Sequence, residues 1–367
     1  MGPAFRVRSI DFREMFDDLV RAWGGESLVA RFDEPTQAWM FIGVHSTVLG
    51  PAMGGTRMKT YDAPAEALAD VLRLSTAMTF KQAAANVPYG GGKAVLAVHE
   101  ISERGSAKRA LLLERYAGLV ESLHGTYVTA ADMNTGAADM DVIGGSTTHV
   151  LGRSREAGGS GDPAPSTATG VFHGVVASVE RAFGSPDLAG RTILVQGTGA
   201  VGGRLVELLS DAGATLLVTD VDRERAHDAA GAVGGGVVEP DAVIGTACDV
   251  YAPCATGGVL SATSIPKLRC AVVAGAANNQ LAEPADAERL RESGILYAPD
   301  YVINAGGVIH LAGYETLGWD DAQMAARLAG IGQTLRNVFD AAEHEGITTA
   351  EAADRLALAR LDAGPAG

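Results

Sequence analysis

From Ser27 to His45 apolar and polar positions alternate around a Glu34-Pro35-Thr36 turn, a pattern that predicts a β-hairpin. Asp62 and Pro64 then mark the start of a helix whose Leu68, Val71, Leu72 and Leu74 share one face. A second helix is expected over 107–123, followed by a short strand from Thr126 to Ala131 that ends at Asp132. Between Gly152 and Pro165 the string GRSREAGGSGDPAP loses all periodicity and gathers glycine, proline and small polar residues, which reads as an inter-domain connection. A helix is predicted from Thr167 to about Phe183. Beyond it the strands ILVQG, TLLVTD, VYAPC, AVVAG and ILYAPD alternate with helical segments, which argues for a parallel, doubly wound sheet. The stretch from Asp320 to Leu361 has helical spacing without strand signals. The expected fold class is therefore α/β with two domains: an N-terminal α/β domain over 1–150, a Rossmann-type domain over 151–325, and C-terminal helices over 326–367 packing back toward the first.

Composition narrows the function classes. A chain of 367 residues has room for two cores, and 47% apolar with 20% charged residues excludes a disordered chain. The formal charge of −15 repels phosphate backbones and anionic membranes, so neither nucleic acid nor a membrane is an expected partner. The N-terminal stretch is interrupted by Arg6, Arg8, Asp11 and Arg13 and has no apolar core of a secretion signal, and no later segment is long and apolar enough to span a bilayer. A cytoplasmic location is expected. Cys248, Cys254 and Cys270 have no CxxC spacing and are read as buried free thiols, and the scattered histidines include no HExxH, so no metal is expected.

The run Gly197-Thr198-Gly199-Ala200-Val201-Gly202 follows the strand ILV and opens a helix, the context in which GxGxxG binds a dinucleotide. Gly197 permits the tight turn, Gly199 lets the backbone approach a pyrophosphate, and Gly202 allows close helix–strand packing, with the helix N–H groups facing the anion. Such turns also arise for steric reasons alone. The second element is Asp220, which closes the next strand 23 residues after Gly197, where a carboxylate accepts hydrogen bonds from ribose hydroxyls and repels a 2′-phosphate. The expected cofactor is NAD, although Arg223 and Arg225 nearby would soften that preference.

Two lysines stand in apolar, glycine-rich settings: Lys81 in MTFKQAAAN and Lys93 in GGGKA. Desolvation and a like-charged neighbour lower a lysine toward a pKa of ~7–8, suited to a general base. Asp132, at the end of its strand, supplies a carboxylate. Taken singly, such residues are more often a surface lysine and a helix cap. Together with a nicotinamide site they fit one catalytic reaction better than those separate roles.

The strings LGPAMGGTRM, AMTFKQAAANVPYGGGKAV, TAADMNTGAADMD, DVYAPCATGG, VAGAANNQL and ILYAPDYVINAGGVIH resemble, in order and over nearly the whole chain, the Glu/Leu/Phe/Val dehydrogenase superfamily, in particular its leucine, valine and phenylalanine branch. The resemblance implies that Lys81 binds the substrate carboxylate, that Lys93 activates water and that Asp132 shuttles protons. It further implies that Asn279 and Thr167 lie near the nicotinamide. Met53, Gly54, Gly55, Ala130, Asn304, Val308 and Leu311 would line the substrate site. The reaction implied is reversible oxidative deamination of a hydrophobic L-amino acid to its 2-oxo acid and ammonia, in a homo-oligomer. With the cofactor on one domain and both lysines on the other, domain closure is expected, to align hydride donor and acceptor and exclude water.

Glutamate is not expected as substrate, because no lysine or serine stands at the pocket positions to meet its second carboxylate. Asn134, the Asn278-Asn279 pair, Leu311 and the GRSREAGGSG connection lean toward phenylalanine or another aromatic, whereas Val308 resembles the leucine and valine enzymes. The alternatives are a branched-chain dehydrogenase of the same mechanism and, from another class, a catalytically silent NAD-binding regulator, which would normally have lost Lys81, Lys93 or Asp132. A hydroxy-acid dehydrogenase would need a histidine or arginine pair in place of the lysines.

Overall fold

The computed structural model describes residues 12–365. They divide into two compact units, one formed by the chain up to Thr79 with Tyr89–Val150, the other by Phe80–Pro88 with the chain from Leu151 onward.

The first unit contains α1 (Phe12–Trp23), β1 (Ser27–Asp33), β2 (Ala38–Ser46), β3 (Ala52–Lys59), most of α2 (Pro64–Ala85), β4 (Gly90–Ala97), α3 (Ala107–Glu121), β5 (Tyr127–Ala131) and α4 (Ala137–Gly144). The predicted hairpin is present as β1 and β2, antiparallel with Ser27 opposite Val44. The sheet order is β1-β2-β4-β3-β5, with β3 parallel to both of its neighbours. Strand alternation separates two cores. Met40, Ile42 and Leu96 face Leu113 and Tyr116 of α3 and Met140 of α4, while Phe41 and Val95 face Val71 and Leu72 of α2.

Periodicity predicts no element for the glycine-rich segments that form β3 and β4, because glycine is depleted from strands in general. Here close approach requires it: a Cβ on Gly91 would lie 2.2 Å from the backbone nitrogen of Thr79, and one on Gly54 only 1.7 Å from the carbonyl oxygen of Gly92.

In the second unit α5 (Ala164–Phe183) begins three residues ahead of the predicted Thr167. Then follow β6 (Thr192–Gln196), α6 (Ala200–Asp211), β7 (Thr215–Thr219), α7 (Arg223–Val233), β8 (Gly236–Val237), β9 (Val250–Pro253), β10 (Val272–Val273), α8 (Asp286–Glu292), β11 (Leu296–Tyr297), α9 (Asp300–Ile303) and α10 (Gly306–Glu315). The helical tail is two helices, α11 (Asp321–Glu345) and α12 (Thr349–Ala363), separated at Gly346, whose φ of 67° ends the first. The parallel sheet runs β8-β7-β6-β9-β10-β11. This is the order of doubly wound dinucleotide-binding sheets, with the switch point between β6 and β9.

Lys81, expected with Lys93 on the first domain, belongs instead to the Phe80–Pro88 segment of the second unit. The reason lies at the end of α2. Arg327 on α11 donates to the carbonyls of Ala85 and Asn86 at 3.2 and 2.6 Å, and Arg360 on α12 donates to those of Ala83, at 2.8 Å, and Ala84. Two guanidinium groups thus satisfy the orphan carbonyls at the negative end of the helix dipole.

Candidate active site

In the first unit Lys93 lies on β4 and Asp132 directly after β5, with β3 between them. Lys93 is only 5% exposed, and its Nζ is 3.0 Å from Asp132 Oδ2. Gly55 makes the crossing possible: a Cβ there would sit 2.7 Å from the Cβ of Asp132. Gly54 is buried beside it, and the two further expected pocket residues of this unit, Met53 on β3 and Ala130 on β5, are buried as well.

Asp132 has a second cationic partner that sequence reasoning missed. Arg57 follows on β3 from Thr56, which pairs with Ala131, and its Nε donates to Asp132 Oδ2 at 3.1 Å. The same guanidinium reaches Asp70 of α2 through Nη1 at 3.0 Å. Asp70 also accepts from Tyr61 Oη and Arg73 Nη2, each at 2.7 Å. Burial raises the Asp132 carboxyl, but Lys93 and Arg57 outweigh it and hold the pKa at about 2, against an ordinary 3.8. Burial likewise opposes ionisation of Asp70, yet its hydrogen bonds to Tyr61 and Arg73 and the charge of Arg57 keep it below the usual carboxylate range. The one available signal was Arg57 itself, a charge alternating with apolar residues in GGTRM.

The turn after Asp132 is held by further groups that the sequence did not advertise. Asp132 N–H donates to Thr135 Oγ1, which in turn donates to the Thr56 carbonyl at 2.7 Å. Asn134 adopts φ 63°, a conformation asparagine tolerates, and its amide donates to the Met58 carbonyl. Buried Arg109 clamps Asp139 with two bonds of 2.6 and 2.9 Å and donates to the Asn134 carbonyl.

In the second unit the GxGxxG turn joins β6 to α6. Gly197 has φ 96°, and a Cβ on Gly202 would lie 1.9 Å from the Gly197 carbonyl oxygen, so both glycines are required. A Cβ on Gly199 would meet nothing within 4 Å, which leaves open space ahead of the α6 N-terminus, and Ala200 is exposed there while Val201 is half-buried. That space and the donors of the helix terminus fit an anionic dinucleotide. Asp220 directly follows β7 and accepts from Thr198 N–H at 2.8 Å and from Asp222 N–H at 2.9 Å. Burial raises its pKa, and these bonds, with Arg225, more than compensate. Arg225 faces Asp222 at 3.2 Å and Arg223 faces Glu239 at 2.8 Å, so both arginines are charge-matched.

Lys81 Nζ donates to Asn278 Oδ1 at 2.9 Å, and Asn304 Nδ2 donates to the same oxygen at 2.9 Å. Asn279, expected near the cofactor ring, is exposed with φ 53°, while its neighbour Asn278 makes the contact to Lys81. Buried Asp300 lies close enough for Lys81 to oppose the effect of burial, which raises its pKa, and it accepts from Gln280 N–H at 2.9 Å. Thr167 on α5 donates to the Pro163 carbonyl and packs against Gly307 of α10, the helix that carries half-buried Val308 and buried Leu311. Among the described residues no cluster of three His, Cys, Asp or Glu could hold a metal, and no helix is long and apolar enough to cross a membrane.

Residues 34–149 match the family model for the Glu/Leu/Phe/Val dehydrogenase dimerisation domain, and residues 218–364 that for Glutamate/Leucine/Phenylalanine/Valine dehydrogenase. The chain is 43% identical over 321 residues to leucine dehydrogenase of Geobacillus stearothermophilus, covering 88% of this chain and 86% of that one. It is 44% identical over 341 residues to valine dehydrogenase of Streptomyces virginiae, covering 92% and 94%. The crystal structure of L-tryptophan dehydrogenase from Nostoc punctiforme superposes with a TM-score of 0.80 at 39% identity, covering 95% of this chain and 98% of the other. The chain belongs to the Glu/Leu/Phe/Val dehydrogenase family and is an amino-acid dehydrogenase, an oxidoreductase acting on CH–NH2 groups.

Proposed function

We propose that the protein catalyses the NAD-dependent, reversible oxidative deamination of a branched-chain L-amino acid. The observation that carries the chemistry is the Lys93–Asp132 pair at 3.0 Å, in which a buried amine and a half-buried, ionised carboxylate lie within direct proton-transfer distance. In this reading Lys81 binds the substrate carboxylate, with Asn278 and Asn304 orienting its ammonium. Lys93 takes a proton from the attacking water, and Asp132 relays protons as ammonia leaves. Gly197, Thr198, Gly199, Ala200, Val201, Gly202, Thr167, Asn279 and Asp220 would hold the dinucleotide, which would supply the acceptor for the hydride of the substrate Cα. Asp220 at the end of β7 and the pairing of Arg223 and Arg225 with carboxylates support NAD over NADP.

For the side chain, the leucine and valine dehydrogenases among the relatives support an aliphatic substrate. Two of the features behind the aromatic expectation, one residue and one segment, have structural duties. Asn134 builds the turn after Asp132, and the GRSREAGGSG connection folds on Glu315, which accepts from Gly152 N–H and Ser160 N–H at 3.0 Å. The likeness to L-tryptophan dehydrogenase keeps an aromatic substrate as the second reading. The description of residues 34–149 as a dimerisation domain supports a homo-oligomer.

The test is kcat/KM for leucine, valine, phenylalanine, tryptophan and glutamate, with NAD and with NADP. Leucine or valine ahead of the aromatics with NAD is the expected result. A lead for phenylalanine or tryptophan overturns the aliphatic assignment alone, since one or two pocket atoms shift selectivity by only ~1–3 kcal/mol.

A further inference from the structure

Cys248 and Cys270 lie outside the site described above and differ from their expected character: each is free but only partly buried. Each stands two residues ahead of its strand, Cys248 before β9 and Cys270 before β10. The strands are parallel, with Val250 paired to Val272, and the same register extends back to the bridge between Ala247 and Arg269. Cys248 N–H donates to the Arg269 carbonyl at 3.1 Å. The two cysteines are therefore direct cross-strand neighbours. Adjacent strands lie about 4.8 Å apart, inside the roughly 4.4–6.8 Å between Cα atoms that a disulfide spans. Both pack against one apolar cluster, and both line one cavity of about 420 Å³ together with Asp249, Arg269 and Ser293. The pair lies at the N-terminal ends of its strands, whereas Ala255, against which Gly197 packs, follows the C-terminal end of β9.

We propose that Cys248 and Cys270 form a reversibly oxidised dithiol site, in which a peroxide entering from the cavity oxidises one of the two thiols and the other closes the disulfide. The cross-strand register sets each thiol beside the other, so whichever reacts first has its resolving partner at hand. In the first step one thiolate attacks a peroxide oxygen, the O–O bond breaks, and that cysteine becomes a sulfenic acid while hydroxide leaves and takes a proton to form water. In the second, the sulfur of the other cysteine attacks the sulfenic sulfur, the S–O bond breaks, and its thiol proton leaves with the oxygen as a second water. Overall two thiols and one hydrogen peroxide give one disulfide and two waters, and a small dithiol reverses the change.

The full-length reduced protein is treated with stoichiometric hydrogen peroxide and followed by intact mass and peptide mapping. The expected product has lost the mass of two hydrogens, carries a Cys248–Cys270 cross-link, and returns to the starting mass with dithiothreitol. In Cys248→Ser and in Cys270→Ser the cross-link is lost and a sulfenic acid persists on the remaining cysteine of the pair, where dimedone traps it. These readouts do not depend on the dehydrogenase assignment. Absence of the cross-link, first oxidation at Cys254, or progression straight to a sulfinic acid in the unmutated protein would each overturn the proposal.

Discussion

At the scale of single residues the site turns on Asp132, a carboxylate between two cations. Arg57 both holds Asp132 and ties it to Asp70 on α2. Replacing Arg57 by Met removes one of the two charges that keep Asp132 ionised, so the acidic limb of kcat/KM is expected to move up by roughly one pH unit. Arg57→Lys, which keeps the charge but not the two-way reach, should recover part of the shift. A lowered rate with an unmoved limb would assign Arg57 to packing alone. The same charges couple Asp132 to stability. Its folded pKa of about 2 lies below the ordinary 3.8, so its contribution is present above about pH 4 and is lost as pH falls toward about 2. This is worth on the order of 2 kcal/mol. In denaturant titrations the stability gap between the parent and Asp132→Asn should therefore shrink over that window, and parallel curves would show that the pair adds nothing to the fold.

At the scale of elements, function follows from strand ends. β6 delivers the glycine turn, and β7 places Asp220 beside it, close enough to accept from Thr198 N–H. In the proposed cofactor site, Asp220→Ala would take away both a ribose acceptor and the repulsion of a 2′-phosphate. The ratio of kcat/KM for NAD over NADP should fall by about tenfold or more, equivalent to roughly 1.4 kcal/mol. An unchanged ratio would remove Asp220 from the cofactor site. In the other sheet β3 works through what its glycines omit: Gly55 carries no side chain, and Lys93 reaches Asp132 across it.

At the scale of the whole molecule, the C-terminal helices fix the end of α2, four residues beyond Lys81. Arg360→Ala strips the donor from the Ala83 and Ala84 carbonyls and is expected to lower stability by about 1–2 kcal/mol. KM for the amino acid should rise while cofactor affinity holds, and unchanged KM with a lower Tm would limit the clamp to stability. How much of this was legible in sequence depended on the range of the interaction. Short-range patterns carried the β1–β2 hairpin, the alternation of the second unit and the GxGxxG turn, because turn chemistry and periodicity act between residues close along the chain. Family strings carried Lys81, Lys93 and Asp132. Glycine-rich β3 and β4 were illegible, since their strand character comes from neighbours packed too close for any side chain. Arg57, Asn278 and the Arg327–Arg360 clamp were equally hidden, because their partners lie far along the chain: Asp132 for Arg57, Lys81 for Asn278 and the end of α2 for the two arginines. By itself the sequence determined the local elements and the residue types of the chemistry, whereas only the tertiary structure decided which charges meet, because that pairing depends on strand register and helix packing over long chain separations.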